Sequence, residues 1–168
     1  MGKTVIGRKV RINASKEKCW DALADFGNVS RMSPNVLKSY TTSELVTGLG
    51  AQRHCDFAAM GAEVEERIVE WKEGESMKID IYETKNMPMI TDIQAQFSVE
   101  GDGEGAIVTG IFEYGMSNVL GQLMNNLAMK KMNEKAWVTF LAGIKHHLET
   151  GEDVEKSTQL DLSPVETC

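Results

Sequence analysis

The apolar positions over residues 119–150 recur at the period of an α-helix. On a 100° wheel Leu120, Leu123, Met124, Leu127 and Ala128 share one face, and Ala136, Trp137, Phe140, Leu141, Ile144 and Leu148 share another. No proline interrupts the run between a cap at Ser117 or Asn118 and a stop at Gly151. One long amphipathic helix of roughly 45 Å is therefore predicted. Its two stripes are offset by most of a quarter turn or more. The C-terminal half is expected to press into a core, while the N-terminal half faces a cavity, a partner or the rim of a sheet.

Upstream the period changes to two. Residues 4–12 set Ile6, Val10 and Ile12 against Lys9 and Arg11, which predicts a strand exposed on one face. Ser15 then caps a helix carrying Cys19, Trp20, Leu23 and Phe26, with Glu17 in its first turn. Gly27 is expected to end that helix, and a second short turn over 29–32 closes against Pro34. Six further strands are predicted over 36–42, 51–57, 62–71, 77–83, 89–100 and 106–116. The short glycine-bearing turns between them favour antiparallel neighbours. Gly110 in the last strand is expected to permit a bend or a bulge. Residues 1–150 read as one domain, and the acidic, polar stretch 151–168 reads as a mobile tail.

Composition narrows the function. A chain of 168 residues with 42% hydrophobic residues can bury one sizeable core. A net charge of −7 argues against general affinity for nucleic acid or anionic membrane, which need clustered cations. No stretch approaches the ~20 apolar residues of a membrane-spanning helix. The three cysteines, Cys19, Cys55 and Cys168, form no CxxC pair and no disulfide framework. A reducing cytoplasm is the expectation.

Few polar residues fall where chemistry would need them. Glu66 shares strand parity with Val64 and Ile68, and Arg53 with Cys55 and Phe57, while Tyr114 lies on the apolar face of the last strand. Each is a candidate catalytic group: Glu66 as a base, Arg53 or Tyr114 as a donor to a carbonyl. The plainer readings are a Glu66 paired with an arginine and a core Tyr114 with its own hydrogen-bond partner. His54 and Asp56 fall on the opposite parity and are expected to face solvent, so no His/Asp site is built from them. There is no HExxH motif and no His/Cys cluster at metal spacing, and neither a metal nor another cofactor is expected. Gly48-Leu49-Gly50 reads as a turn, because Arg53 stands where a dinucleotide fingerprint needs its third glycine.

Several segments resemble the polyketide cyclase/dehydrase and START-like superfamily over about residues 4–149. They are Val10 to Ser15, Cys19 to Phe26, Met32 to Pro34, Gly48 to Gly50 with Arg53, and Glu66 to Ile68. The resemblance implies an α+β helix-grip fold. In it a strongly curved seven-stranded antiparallel sheet, with two short helices after strand one, embraces a long C-terminal helix across a hydrophobic cavity. It places the cavity mouth at 58–62, 84–89 and 115–119, with Met60, Met87, Met89 and Met116. Met77, Ile79, Ile81, Ile93, Phe97, Phe112 and Tyr114 of the strands and Leu120, Leu123, Met124 and Leu127 of the helix are expected to complete a ligand-binding lining. Three functions follow as expectations, since fold does not fix activity. The first is binding or transport of an apolar or amphipathic small molecule. The second is a cyclase or dehydratase using Glu66. The third is a co-chaperone-like interaction module, with a filled interior and an exposed apolar patch on the N-terminal half of the long helix. That half is also the expected contact of a homodimer.

Overall fold

The chain begins with β1 (Thr4–Ile12), whose alternation puts Ile6, Val10 and Ile12 inside. A computed structural model describes residues 2–168. Ser15 caps α1 (Lys16–Ala24) by accepting a hydrogen bond from the Lys18 amide, and Cys19, Trp20 and Leu23 turn inward. The helix ends at Asp25, two residues before the expected Gly27, and passes into a 3₁₀ segment, Phe26–Met32. Gly27 serves close packing instead: a Cβ there would stand 2.9 Å from the Thr41 side chain.

Six strands follow: β2 (Val36–Thr41), β3 (Gln52–Phe57), β4 (Glu63–Lys72), β5 (Ser76–Lys85), β6 (Ile90–Asp102) and β7 (Gly105–Met116). The sheet runs β2-β3-β4-β5-β6-β7-β1, antiparallel throughout, as the short turns predict. Gly110 stays in regular register with Phe97 and Arg8, so it makes no bulge. It makes room: a Cβ would lie 3.0 Å from Trp137 and 3.2 Å from Phe97.

The long helix is broken. Asn118 caps α2 (Val119–Met124), a π turn spans Asn125–Met129, and α3 (Lys130–Thr150) completes the run to Gly151, whose φ of 77° is left-handed. α3 buries Leu141, Ala142, Ile144 and Leu148, and Gly143 lets the helix approach the 3₁₀ segment so closely that a Cβ would sit 2.1 Å from the Met32 carbonyl. A π turn holds one residue more than an α turn and rotates everything before it by about 100°. Added to the offset already present between the stripes, that brings the apolar stripe of α2 to the side opposite the core. Gly121 and Asn125 are buried in its place.

The last segment differs from the expected mobile tail. Val154 is buried and its amide donates to the Arg31 carbonyl, while Arg31 pairs with Asp153 at 2.8 Å. Val165 packs against the core, and β8 (Glu166–Thr167) adds an eighth, two-residue strand to the free edge of β1. Isolated valines in a polar stretch suffice to dock it.

Candidate functional site

The apolar interior divides into two clusters. The larger spans α1, the 3₁₀ segment, the sheet and α3, and holds Met77, Ile79 and Phe97 of the expected lining. The smaller lies beneath α2 and the π turn, at the end where the mouth is expected. Its buried members are Ile6, Ile93, Tyr114 and Met116, and Ile81, Met87, Met89, Phe112, Met129 and Trp137 pack around them only partly buried. Trp137 stands between the clusters. Its indole N–H donates to the Gly110 carbonyl at 2.9 Å, and its ring lies 5.3 Å from Phe112 and 5.5 Å from both Phe97 and Phe140. Side chains around Trp137 thus occupy the region expected to be a cavity. Two surface grooves lie elsewhere, one along 21–28 and 39–47, the other between 30–37 and 153–156.

The three expected mouth segments do meet at this end. Asn86 of the β5–β6 loop donates through its side chain to the Gly61 carbonyl of the β3–β4 turn, and the Ser117 amide donates to the Met89 carbonyl, both at 2.9 Å. Gly121 sits so close that a Cβ would be 3.1 Å from both Met89 and Met116. Met60, Asn86, Met89 and Asp92 all have positive φ, between 49° and 71°. Left-handed backbone at non-glycine residues is costly and collects at ligand clamps and switches.

Not every expected lining residue is inside. Met60 is 71% exposed on its turn, and Leu120, Leu123, Met124 and Leu127 point outward for the helical reason given above. With Val119 and Met132 they form an apolar stripe on the surface. Polarity takes their inner place. Tyr114 donates to Asn125 Oδ1 at 2.7 Å, and Asn125 Nδ2 donates to the hydroxyl of Thr4, the cross-strand neighbour of Tyr114. Nothing in a helical hydrophobic pattern marks Asn125; only its position opposite an inward Tyr114 betrays it.

The candidate catalytic residues separate. Arg53 and Glu66 do face inward, as parity predicts, but they pair with each other on adjacent strands. Arg53 also donates to the Phe26 carbonyl at 2.9 Å and lies 4.0 Å above the Phe26 ring. Burial opposes the guanidinium charge, yet Glu66 and Cys55 outweigh it and raise its pKa. The Cys55 thiol, which donates to Glu66, is pushed up first by burial and then by the Glu66 charge. Tyr114 stands three strands away, about 14 Å along the sheet at normal strand spacing. Glu66 and Tyr114 therefore do not converge on one reacting atom.

On the outer face, His54 and Asp56 lie where parity puts them, but they are not free in solvent. His54 contacts Asp56 and Glu65, and Glu63 stands nearby. Those glutamates belong to β4, and the strand register that brings them there is invisible in the β3 segment alone.

No helix among the described residues is long and apolar enough to cross a membrane. Among curated proteins, none matches the chain. Solved structures share the fold at low identity. A Thermus thermophilus protein, TTHA0849, superposes with a TM-score of 0.71 at 17% identity, covering 86% of this chain and 97% of that one. Truncated norcoclaurine synthase from Thalictrum flavum gives 0.67 at 12%, covering 89% and 95%. A START superfamily protein from Mycobacterium smegmatis gives 0.66 at 15%, covering 88% and 99%. The expected helix-grip architecture is thus the architecture of the molecule, with the short β8 as its one addition to the sheet. A family model described as polyketide cyclase / dehydrase and lipid transport matches residues 3–149, and the chain belongs to that family.

Proposed function

We propose that this protein binds an apolar or amphipathic small molecule at the expected mouth, between α2 and the smaller apolar cluster. The observation that carries the reading is the contrast between the two clusters. In the larger, buried side chains far outnumber the partly buried ones packed on them, whereas in the smaller the partly buried ones outnumber the buried, under a short helix that shows its own apolar stripe to solvent. Met87, Met89 and Met129 are flexible and can yield volume to a guest. Rotation or lifting of α2 about the π turn brings Leu120, Leu123 and Leu127 against that guest. Each Å² of apolar area so covered contributes roughly 25 cal/mol. The bonds joining Tyr114, Asn125 and Thr4 leave the second amide hydrogen of Asn125 and the hydroxyl hydrogen of Thr4 to orient a ligand oxygen. A family whose description includes lipid transport supports the class of ligand. We place the protein in a reducing compartment, where its three free cysteines remain thiols.

The test uses Trp137, the one of the three tryptophans at the cluster boundary; Trp20 and Trp71 pair with each other elsewhere. Titration with a fatty acid is expected to shift tryptophan emission and to leave Trp137→Phe silent. Met87→Lys, correctly folded, should weaken uptake. Equal uptake by that variant sinks the proposed location, and native mass spectrometry of protein from its own source identifies the guest.

The exposed stripe favours a second reading, an interaction module or homodimer through α2. It predicts a dimer in light scattering that Leu123→Glu dissolves, with no response to fatty acid. The enzymatic reading has less support, because Arg53 and Cys55 already engage Glu66.

A further inference from the structure

A cluster on the outer face of the sheet plays no part in the proposed ligand site. Register sets Asp56 beside Glu63 and His54 beside Glu65, and one donor atom each from His54, Asp56 and Glu63 lies within 4.8 Å of the others. The imidazole is held on three sides: its ring stacks on Tyr40 at 5.2 Å, Nδ1 contacts Glu65, and Nε2 stands 2.8 Å from Asp56 Oδ1. We propose that His54 Nε2, Asp56 and Glu63 bind a late first-row divalent cation, Zn²⁺ fitting best, and that Glu65 is the outer partner that orients the ring.

The argument rests on lone pairs. A neutral imidazole has one N–H and one lone pair, and donation from Nδ1 to Glu65 leaves the Nε2 lone pair facing a carboxylate oxygen. Two acceptors at 2.8 Å repel, so without a metal a proton lies between them, held by the flanking carboxylates, and a cation binds there by displacing it. A carboxylate behind the distal nitrogen is the arrangement that fixes and strengthens a metal-ligating histidine. One nitrogen and two carboxylates suit zinc, with water in the fourth position. Donors about 2.1 Å from a tetrahedral metal stand about 3.4 Å apart, so Asp56 must open slightly and Glu63 swing inward. Glu63 now pairs with Lys85 at 2.8 Å, an exposed contact that is weak and readily given up.

Zinc chloride titrated calorimetrically into Cys168→Ser protein, which lacks the exposed thiol, tests the site. One equivalent is expected to bind. His54→Gln and Glu63→Gln should each abolish that event, and Glu65→Gln should weaken it by about 10- to 100-fold. Thermal melts confirm that each variant is folded. Should His54→Gln fail to fold, the surface variant Glu63→Gln decides alone. The site is overturned if the reference protein takes up no zinc, or if either folded ligand variant binds it as the reference does.

Discussion

The Tyr114 hydroxyl donates to Asn125 Oδ1 at 2.7 Å, and this one bond ties β7 to the π turn of the long helix. Both residues are essentially inaccessible to solvent. The bond accompanies the departure from α geometry there: with the extra residue of the π turn, Asn125 faces inward and meets Tyr114 and Thr4.

Tyr114→Phe strands the Asn125 carbonyl oxygen in an apolar setting, so it should destabilise the protein by about 1–3 kcal/mol in urea unfolding. Asn125→Leu strands the tyrosine hydroxyl and should cost a similar amount. The double variant should cost clearly less than the sum, because both stranded groups vanish together. Additive losses would mean that the two groups do not act as a pair.

Arg53 and Glu66 offer a second pair of this kind, charged and buried on neighbouring strands. Removing one partner leaves the other charge without compensation in the core, at a cost of about 3–5 kcal/mol. Arg53→Met and Glu66→Leu should therefore each lower the unfolding midpoint sharply. The combination Arg53→Met with Glu66→Leu should recover much of the loss. A Glu66→Leu variant of unchanged stability would show that the glutamate is free for another task.

Period and parity read the scaffold well, because a strand's alternation and a helix's stripe are local properties. All seven main strands follow from them, and residue type adds the caps at Ser15 and Gly151 and narrows the next to Ser117 or Asn118, of which Asn118 serves. Parity likewise turned Arg53, Glu66 and Tyr114 inward and His54 outward. What failed depended on distant partners. The outward turn of Leu120, Leu123 and Leu127 goes with the π turn at Asn125–Met129, whose Asn125 bonds to distant Tyr114, and the His54 cluster follows from a register between two strands. A hydrophobic wheel assumes 3.6 residues per turn throughout and has no means of announcing where that assumption breaks.

The docked tail yields a third expectation. Val154 is 4% exposed and Val165 packs on the core, so truncation after Gly151 uncovers apolar surface and frees the β1 edge. Full burial of one valine is worth about 1.5–3 kcal/mol. The shortened protein should unfold at lower urea with a smaller m value, since less surface is exposed on unfolding. Identical curves for both lengths would place the tail outside the cooperative unit.

Glu149 supplies a pH-dependent test at the opposite end of α3. An acid in the last turn of a helix is disfavoured by the helix dipole, and burial also penalises its charge. Its pKa is nevertheless lowered from the ordinary 4.5, because the carboxylate accepts from Lys145 at 2.6 Å and from the Asn13 amide at 2.8 Å. Those bonds fasten the end of α3 to the chain leaving β1. A carboxyl whose folded pKa is depressed stabilises the fold fully above its unfolded value and loses that contribution as pH falls through the folded value. Glu149→Gln should therefore melt below the parent at pH 7, and the gap should narrow as pH drops from about 4.5 downward. A gap independent of pH would show that the amide keeps the contact equally well, and that the charge on Glu149 contributes nothing to holding helix and strand together.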